Sequence, residues 1–279
     1  MSNWDAWIGR TQIQYDILTP ALLARFHATL DRDGAGEIVP QAIHWCLCTP
    51  ETATAGLGVD GHPLRSDAAD SFLPPIPLPR RMWASSALEF HAPISAGPPV
   101  ERSSTIASIT EKNGGSGTLV FVEIDHHTSA GGVLAVEERQ TLVYRAATTA
   151  LPAPLGDGTP DLANWQWHRE IMPNEPLLFR YSALTFNSHR IHYDAPYAVD
   201  EERYRALVVH GPLTATLLLD LAARKLGSNM LKRFSFRGQA PAFVNEAMHL
   251  VGRQNGDKIE MAALGSDGRL VMSAHVELS

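Results

Sequence analysis

Between positions 187 and 194 the chain sets Asn187, His189, Arg190, His192, Tyr193 and Asp194 almost side by side, in the run FNSHRIHYD. His210-Gly211-Pro212 follows, directly before an apolar run with helical spacing. Imidazole is the side chain whose ordinary pKa lets it take and return a proton near neutrality. A helix start offers backbone N–H groups with no partner inside the helix, at the positive end of its dipole. Gly211 has no side chain to block close approach to those groups. A proton carrier beside such a helix start suits chemistry next to a carbonyl, such as adding water to, or removing it from, an α,β-unsaturated acyl group. The same residue types admit a metal, since His192-x-Asp194 with His210 has the makings of a two-histidine, one-carboxylate site. A lone histidine is more often a hydrogen-bonded structural residue, so the case for chemistry rests on the crowding. Nothing else in the sequence supports a metal or another cofactor, and none is expected.

A second feature is Arg80-Arg81 before Met82-Trp83. It reads either as a solvated pair at a strand start or as an anion-binding edge for phosphate or carboxylate.

These residues need elements to position them. Thr19 and Pro20 are a helix cap and first helical residue, and Leu22, Leu23, Phe26 and Leu30 recur at helical spacing after them. Pro40 opens a second, more apolar helix running to about Thr49-Pro50. Residues 51–79 are too rich in Gly and Pro for regular structure and read as a long loop. Strand-like runs follow at 82–93, 100–111, 117–127 and 134–145, joined by turn-forming segments. Residues 151–176 read as a surface linker pinned by Trp165 and Trp167. A helix over 212–226 ends at Gly227, placed as a C-cap. Strands at 231–238, 243–254, 258–264 and 269–278 complete the chain. Each half is thus a buried helix followed by an antiparallel run of strands, an α+β layout.

With 279 residues and 44% hydrophobic side chains, the chain can bury a substantial core. Its formal charge of −7 argues against a general nucleic-acid binder. No apolar window is long enough to span a membrane and no secretory signal is visible, which predicts a cytoplasmic protein. Cys46 and Cys48, its 2 cysteines, read as small buried residues in a reducing compartment.

TFNSHRIHYDAPYA with the later VVHGPL resembles the MaoC-like, double-hotdog acyl-thioester hydratases. Within them the chain is most similar to mesaconyl-C4-CoA (3-methylfumaryl-CoA) and itaconyl-CoA hydratases, with fungal-type mitochondrial 3-hydroxyacyl dehydratases nearby. WIGR, PLPRRMW, GTLVFVEI and TLVYR extend the resemblance over nearly the whole chain. It implies two hotdog units, each a helix wrapped by a curved antiparallel sheet, with the active site near their junction. It also implies an N-terminal unit over 1–150 that shapes the acyl pocket, the linker over 151–176, and a catalytic unit over 177–279. Hotdog sheets associate edge to edge, so the resemblance also admits a homodimer.

The wider family pairs an aspartate with a histidine five residues later, in D-x-N-P-x-H. The histidine falls on His192, the aspartate's place is held by Asn187, and His189 and Arg190 stand for Asn-Pro. His210-Gly211 matches the family's histidine-glycine, with the Gly211 N–H as oxyanion donor. An amide has no titratable proton near neutral pH. Asn187 is therefore expected to hold the water while His192 moves the proton. Asp194 is expected to serve structure or to orient His192. Arg190, Arg80 and Arg81 are the expected binders of CoA phosphates or a substrate carboxylate, with Arg233 and Arg237 as weaker candidates, and His210 and Tyr193 contact substrate. The implied activity is that of a hydro-lyase: reversible hydration of an enoyl-CoA, preferably one with a second carboxylate. Alternatives are a 3-hydroxyacyl dehydratase acting on acyl carrier protein or CoA, and a non-catalytic thioester-binding protein, which Asn187 favours.

Overall fold

Among the described residues ten strands form one antiparallel sheet whose order makes the internal duplication plain. They are β1 (Thr11–Ile17), β2 (Arg80–Phe90), β3 (Pro99–Gly114), β4 (Gly117–Ala130), β5 (Val133–Arg145), β6 (Trp167–Ile171), β7 (Leu231–Gly238), β8 (Met248–Asn255), β9 (Lys258–Gly265) and β10 (Leu270–Leu278). The order is β1-β3-β4-β5-β2-β7-β10-β9-β8-β6. The second half repeats the first strand for strand, and the halves meet along β2 and β7, in register from Ser85↔Arg237 to Glu89↔Arg233. The computed structural model describes residues 4–32, 38–68, 70–114, 117–147, 150 and 153–278.

The strands form where β-branched and aromatic residues alternate, so one face of each packs inward. In β4, Val120, Val122 and Ile124 are buried in alternation. The core helix of the second half, α3 (Gly211–Leu226), is apolar on nearly every side, and Leu213, Leu217, Leu218 and Leu221 lie at most 2% exposed. Burying each such leucine contributes about 2 kcal/mol before entropy is counted. Its end falls at Gly227, whose φ of +99° a side chain would resist. Earlier in the chain, α1 (Pro20–Thr29) is capped as expected, the Leu22 N–H donating to Thr19 Oγ1 at 3.1 Å. The helix α2 (Glu175–Thr185) begins on Asn174, whose side chain accepts from the Leu177 N–H at 3.0 Å.

Several expectations need correction. The second apolar helix after Pro40 is a single 3-10 stretch, Gln41–Cys46, still buried as its composition requires. At the N-terminus, where no element was expected, lies β1, whose Ile13, Tyr15 and Ile17 alternate outward to solvent. Residues 151–176 carry β6, which pairs with β8, so part of this segment is sheet rather than linker. Trp167 does pin it: a Cβ on Gly252 would sit 2.6 Å from the indole, so glycine is what admits the ring. The strand at 243–254 begins only at Met248. Residues 33–36 of the loop DRDGAG, 115 and 116 of the turn KNGGSG, and 148, 149, 151 and 152 lie outside the described residues.

Candidate active site

The motif FNSHRIHYD runs from a helix end into a tight turn. The helix α2 ends where Phe186 turns left-handed (φ 48°), and the Asn187 N–H closes that end on the Ser182 carbonyl at 2.9 Å. The Asn187 side-chain oxygen then accepts from the His189 N–H at 3.0 Å, an Asx turn that leads into the 3-10 turn Arg190–His192. Among the described residues this leaves the Asn187 amide nitrogen without a partner.

His192 is buried, and its Nδ1 lies 2.7 Å from the Val208 carbonyl. A carbonyl only accepts, so Nδ1 carries the proton and Nε2 keeps a free lone pair. Burial pushes the ring down to about 4, so it is neutral at physiological pH. Its face stacks on His210, with ring centres 3.6 Å apart. His210 is the residue before α3. It is anchored by Ser182 Oγ, 2.8 Å from its Nε2, and burial holds it well below the ordinary imidazole range. Gly211 follows as the first residue of α3, where a backbone N–H has no acceptor within the helix.

A cavity of about 1590 Å³ receives Asn187, His189, His192, Tyr193, His210 and Gly211, and residues of both halves line it. Toward the N-terminal sheet the lining is polar, with Gln14, Arg102, Ser104, His126, Glu138 and Gln140. Burial pushes His126 down to about 4.

The expected arginines separate. Arg190 does not line the cavity; its guanidinium holds Asp194 Oδ2 at 2.6 and 2.9 Å, donates to the Val59 carbonyl and lies over the Tyr197 ring. That replaces the substrate-anion role expected of it. Asp194 also accepts the Tyr197 N–H at 3.1 Å, so it orients the following turn and not His192. Arg80 lines the cavity but pairs with Glu202 at 2.8 Å and donates to that residue's carbonyl, so its charge is already satisfied. Arg233 is paired with Glu277 and Glu89 on the surface. Arg81 lines the cavity with no carboxylate paired to it among the described residues. Tyr193 is half-exposed, its hydroxyl donating to the Ser188 carbonyl at 3.1 Å.

The metal set suggested by sequence does not converge. Asp194 is committed to Arg190, and the His192 and His210 rings lie face to face with one nitrogen each engaged. Instead Asp60, His62 and His189 bring their ligand atoms within 4.8 Å of one another. The positive charges of Arg81 and Arg65 already act on His62 and would oppose a cation there.

Asp60 and His62 are functional candidates that sequence reading passed over, in a loop noted only for its glycine and proline. Two titratable residues flanking a glycine were the available signal. That loop is fastened to the motif: the Arg190 N–H donates to the Asp60 carbonyl at 2.9 Å, and Ser188 Oγ to the Gly61 carbonyl at 2.6 Å. Gly61 has φ +85°, and a Cβ there would lie 1.9 Å from the Ser188 carbonyl oxygen. No side chain fits.

The paired five-strand halves, with the helix start and its histidines at their junction, define a double-hotdog protein. A Mycobacterium tuberculosis protein described as having a double hotdog fold superposes with a TM-score of 0.60 over 97% of this chain and 96% of its own, at 11% identity. The MaoC-like dehydratase of Phytophthora capsici gives 0.70 over 100% and 99%, at 15% identity. The family model described as Hydroxyacyl-thioester dehydratase type 2 matches residues 41–244. A mesaconyl-C(4)-CoA hydratase of Chloroflexus aurantiacus is 44% identical over 282 residues, 99% of this chain and 98% of that protein. The mitochondrial hydroxyacyl-thioester dehydratase type 2 of Schizosaccharomyces pombe is 37% identical over 128 residues, 44% of this chain and 41% of its own. The chain belongs to the hydroxyacyl-thioester dehydratase type 2 family.

Proposed function

We propose that the chain hydrates, and in reverse dehydrates, an enoyl-CoA thioester whose acyl group is short and carries a second carboxylate, of the mesaconyl-C4-CoA or itaconyl-CoA type. The observation that carries this reading is the His192 ring, fixed with its free Nε2 in the cavity beside the start of α3. In hydration, His192 Nε2 takes a proton from a water that the Asn187 amide holds, as the water oxygen bonds to the β-carbon. Electrons of the double bond move onto the thioester oxygen, where the Gly211 N–H and the helix dipole stabilise the negative charge. A proton delivered to the α-carbon completes the addition. Elimination runs the same steps backward.

The second carboxylate lies one carbon beyond the double bond, so its partner must stand close to the reacting atoms. Arg81 suits this, because its charge acts on both His62 and His189. The name of the Chloroflexus relative supports the same substrate class. Among the described residues no helix is long and apolar enough to cross a membrane. Cys46 and Cys48 are free and buried, which supports the cytoplasm as its site of action.

The test is the change in enoyl-thioester absorbance with mesaconyl-C4-CoA, itaconyl-CoA, crotonyl-CoA and a long-chain enoyl-CoA, for wild type and His192→Ala. Preference for a dicarboxylic substrate, with turnover falling at least about 100-fold in the variant, is expected. Binding of every thioester without turnover of any would identify a binding protein instead.

A further inference from the structure

We propose that His62, held by Asp60, is a second proton carrier of this active site, contributed by the N-terminal half in place of the titratable group that position 187 lacks. The proposal deepens the hydratase reading and rests on it.

The geometry is that of a carboxylate-backed imidazole. Asp60 Oδ2 lies 3.1 Å from His62 Nδ1, and Asp60 Oδ1 accepts the His62 backbone N–H at 2.9 Å. Two contacts from one carboxylate fix both ring and backbone, so Nδ1 carries a proton and Nε2 is the atom left for chemistry. Burial raises the Asp60 carboxyl, but the hydrogen bonds from His62 outweigh it and hold Asp60 well below the usual carboxylate range. Asp60 is therefore ionised and ready to stabilise an imidazolium at His62. Both residues line the same cavity as His192. The His62 ring is 4.1 Å from that of His189, which is 5.5 Å from that of His192. The fastening of Asp60 and Gly61 to Ser188 and Arg190 fixes this placement through backbone groups.

The chemistry has a use for such a group. Hydration takes one proton from water and gives one to carbon. With an amide at position 187, the C-terminal motif alone would have to do both with His192. With His62, the two transfers separate: His192 accepts the proton of water while the His62 imidazolium gives its Nε2 proton to the α-carbon. The pair begins and ends with one proton between them, and His189 lies between the rings to return it. Elimination uses the mirror form, with neutral His62 taking the α-proton and protonated His192 giving its proton to the departing hydroxyl. The active form in both directions holds one proton on the pair. Burial is the largest influence on His62 and lowers it from the ordinary imidazole range; Arg81, Arg65 and His189 add to this and Asp60 opposes it, so the alkaline limb lies on the acid side of neutrality.

The experiment compares wild type, His62→Gln and Asp60→Asn in the hydration assay across pH, with metal analysis of the wild type. Wild type should show a bell-shaped profile of kcat/KM, and His62→Gln should lose the alkaline limb with kcat lower by about 100-fold and KM little changed. Asp60→Asn keeps an acceptor for the ring but not the charge. It should move the alkaline limb to lower pH and lower kcat by about tenfold, which tests the positioning role of Asp60 even if His62→Gln fails to fold. An unchanged limb in Asp60→Asn, or an active His62→Gln with its limb intact, would overturn the proposal. So would a rise in KM alone, which means an anion subsite, or stoichiometric metal whose removal abolishes turnover. Wild type inert on every enoyl-CoA would sink the hydratase reading itself, a result distinct from an active wild type indifferent to His62.

Discussion

At the scale of single residues, the expected arginines are sorted by whether a carboxylate already holds them. Arg190 and Arg80 sit in sequence where a substrate-binding arginine is expected, yet Asp194 and Glu202 occupy them. Arg81 lines the same cavity as Arg80 but has no carboxylate paired to it among the described residues. The consequence is testable. Arg81→Gln should lower kcat/KM for a dicarboxylic enoyl-CoA by about 10- to 100-fold more than for crotonyl-CoA, the 1.5–3 kcal/mol scale of a hydrogen bond to a charged group. Arg190→Gln should affect both substrates alike, since its bonds run to Asp194 and Val59. Steady-state kinetics on the two substrates decides it, and equal losses at Arg81 would remove it from the carboxylate role. Residue types alone pointed to His192, His210 and Gly211, because crowded imidazoles beside a helix start are a local signal. Which arginine is free was not legible, since pairing depends on contacts such as Arg80 with Glu202, 122 residues apart.

At the scale of elements, the site depends on a turn and a loop rather than on a strand. Capping residues made α1 and α3 readable: Thr19-Pro20 and Gly227 are where the sequence puts them. The strands β2 to β5 were readable from β-branched alternation. The same alternation exists in β1, but its Ile13, Tyr15 and Ile17 face solvent, so the segment lacks the signature of a buried strand. The turn at 187–192 escaped because it is made by side-chain-to-backbone bonds at Asn187 and by the docking of residues 59–61. Gly61 is the tightest point of that docking. Gly61→Ala meets both a positive φ and the Ser188 carbonyl, so the loop must withdraw. The expected outcome is a drop in kcat/KM of at least about tenfold, since a shift on the order of 1 Å in a catalytic group has that effect. Thermal stability should fall by only a few degrees, because the loop lies off the main core. Activity and melting temperature measured on the same sample check the two together; an unaltered kcat/KM would mean that the docking does not position the site.

At the scale of the whole molecule, one sheet built from two similar halves surrounds an active site that only one half equips with His192 and Gly211. The duplication shows as matching strand order, β1 to β5 against β6 to β10, and not as similar residues. Packing accepts any apolar side chains of suitable volume, so two halves can keep a topology after their sequences diverge. What the molecule buries at the junction is unusual: several neutral histidines. His126 and His192 are both held at about 4 by burial, against 6.5 in an unfolded chain. The unfolded state therefore binds more protons in the window between those values. The stability these rings contribute is fully present above about pH 6.5 and is lost as pH falls toward about 4, at up to about 1.4 kcal/mol per pH unit for each. Urea unfolding midpoints should accordingly fall between about pH 7 and about pH 5. His126→Gln should give a shallower fall by one histidine's share, whatever its stability at neutral pH. A midpoint that does not move over that range would mean the rings are solvated or protonated in the folded protein, and burial would then not be what keeps His192 neutral.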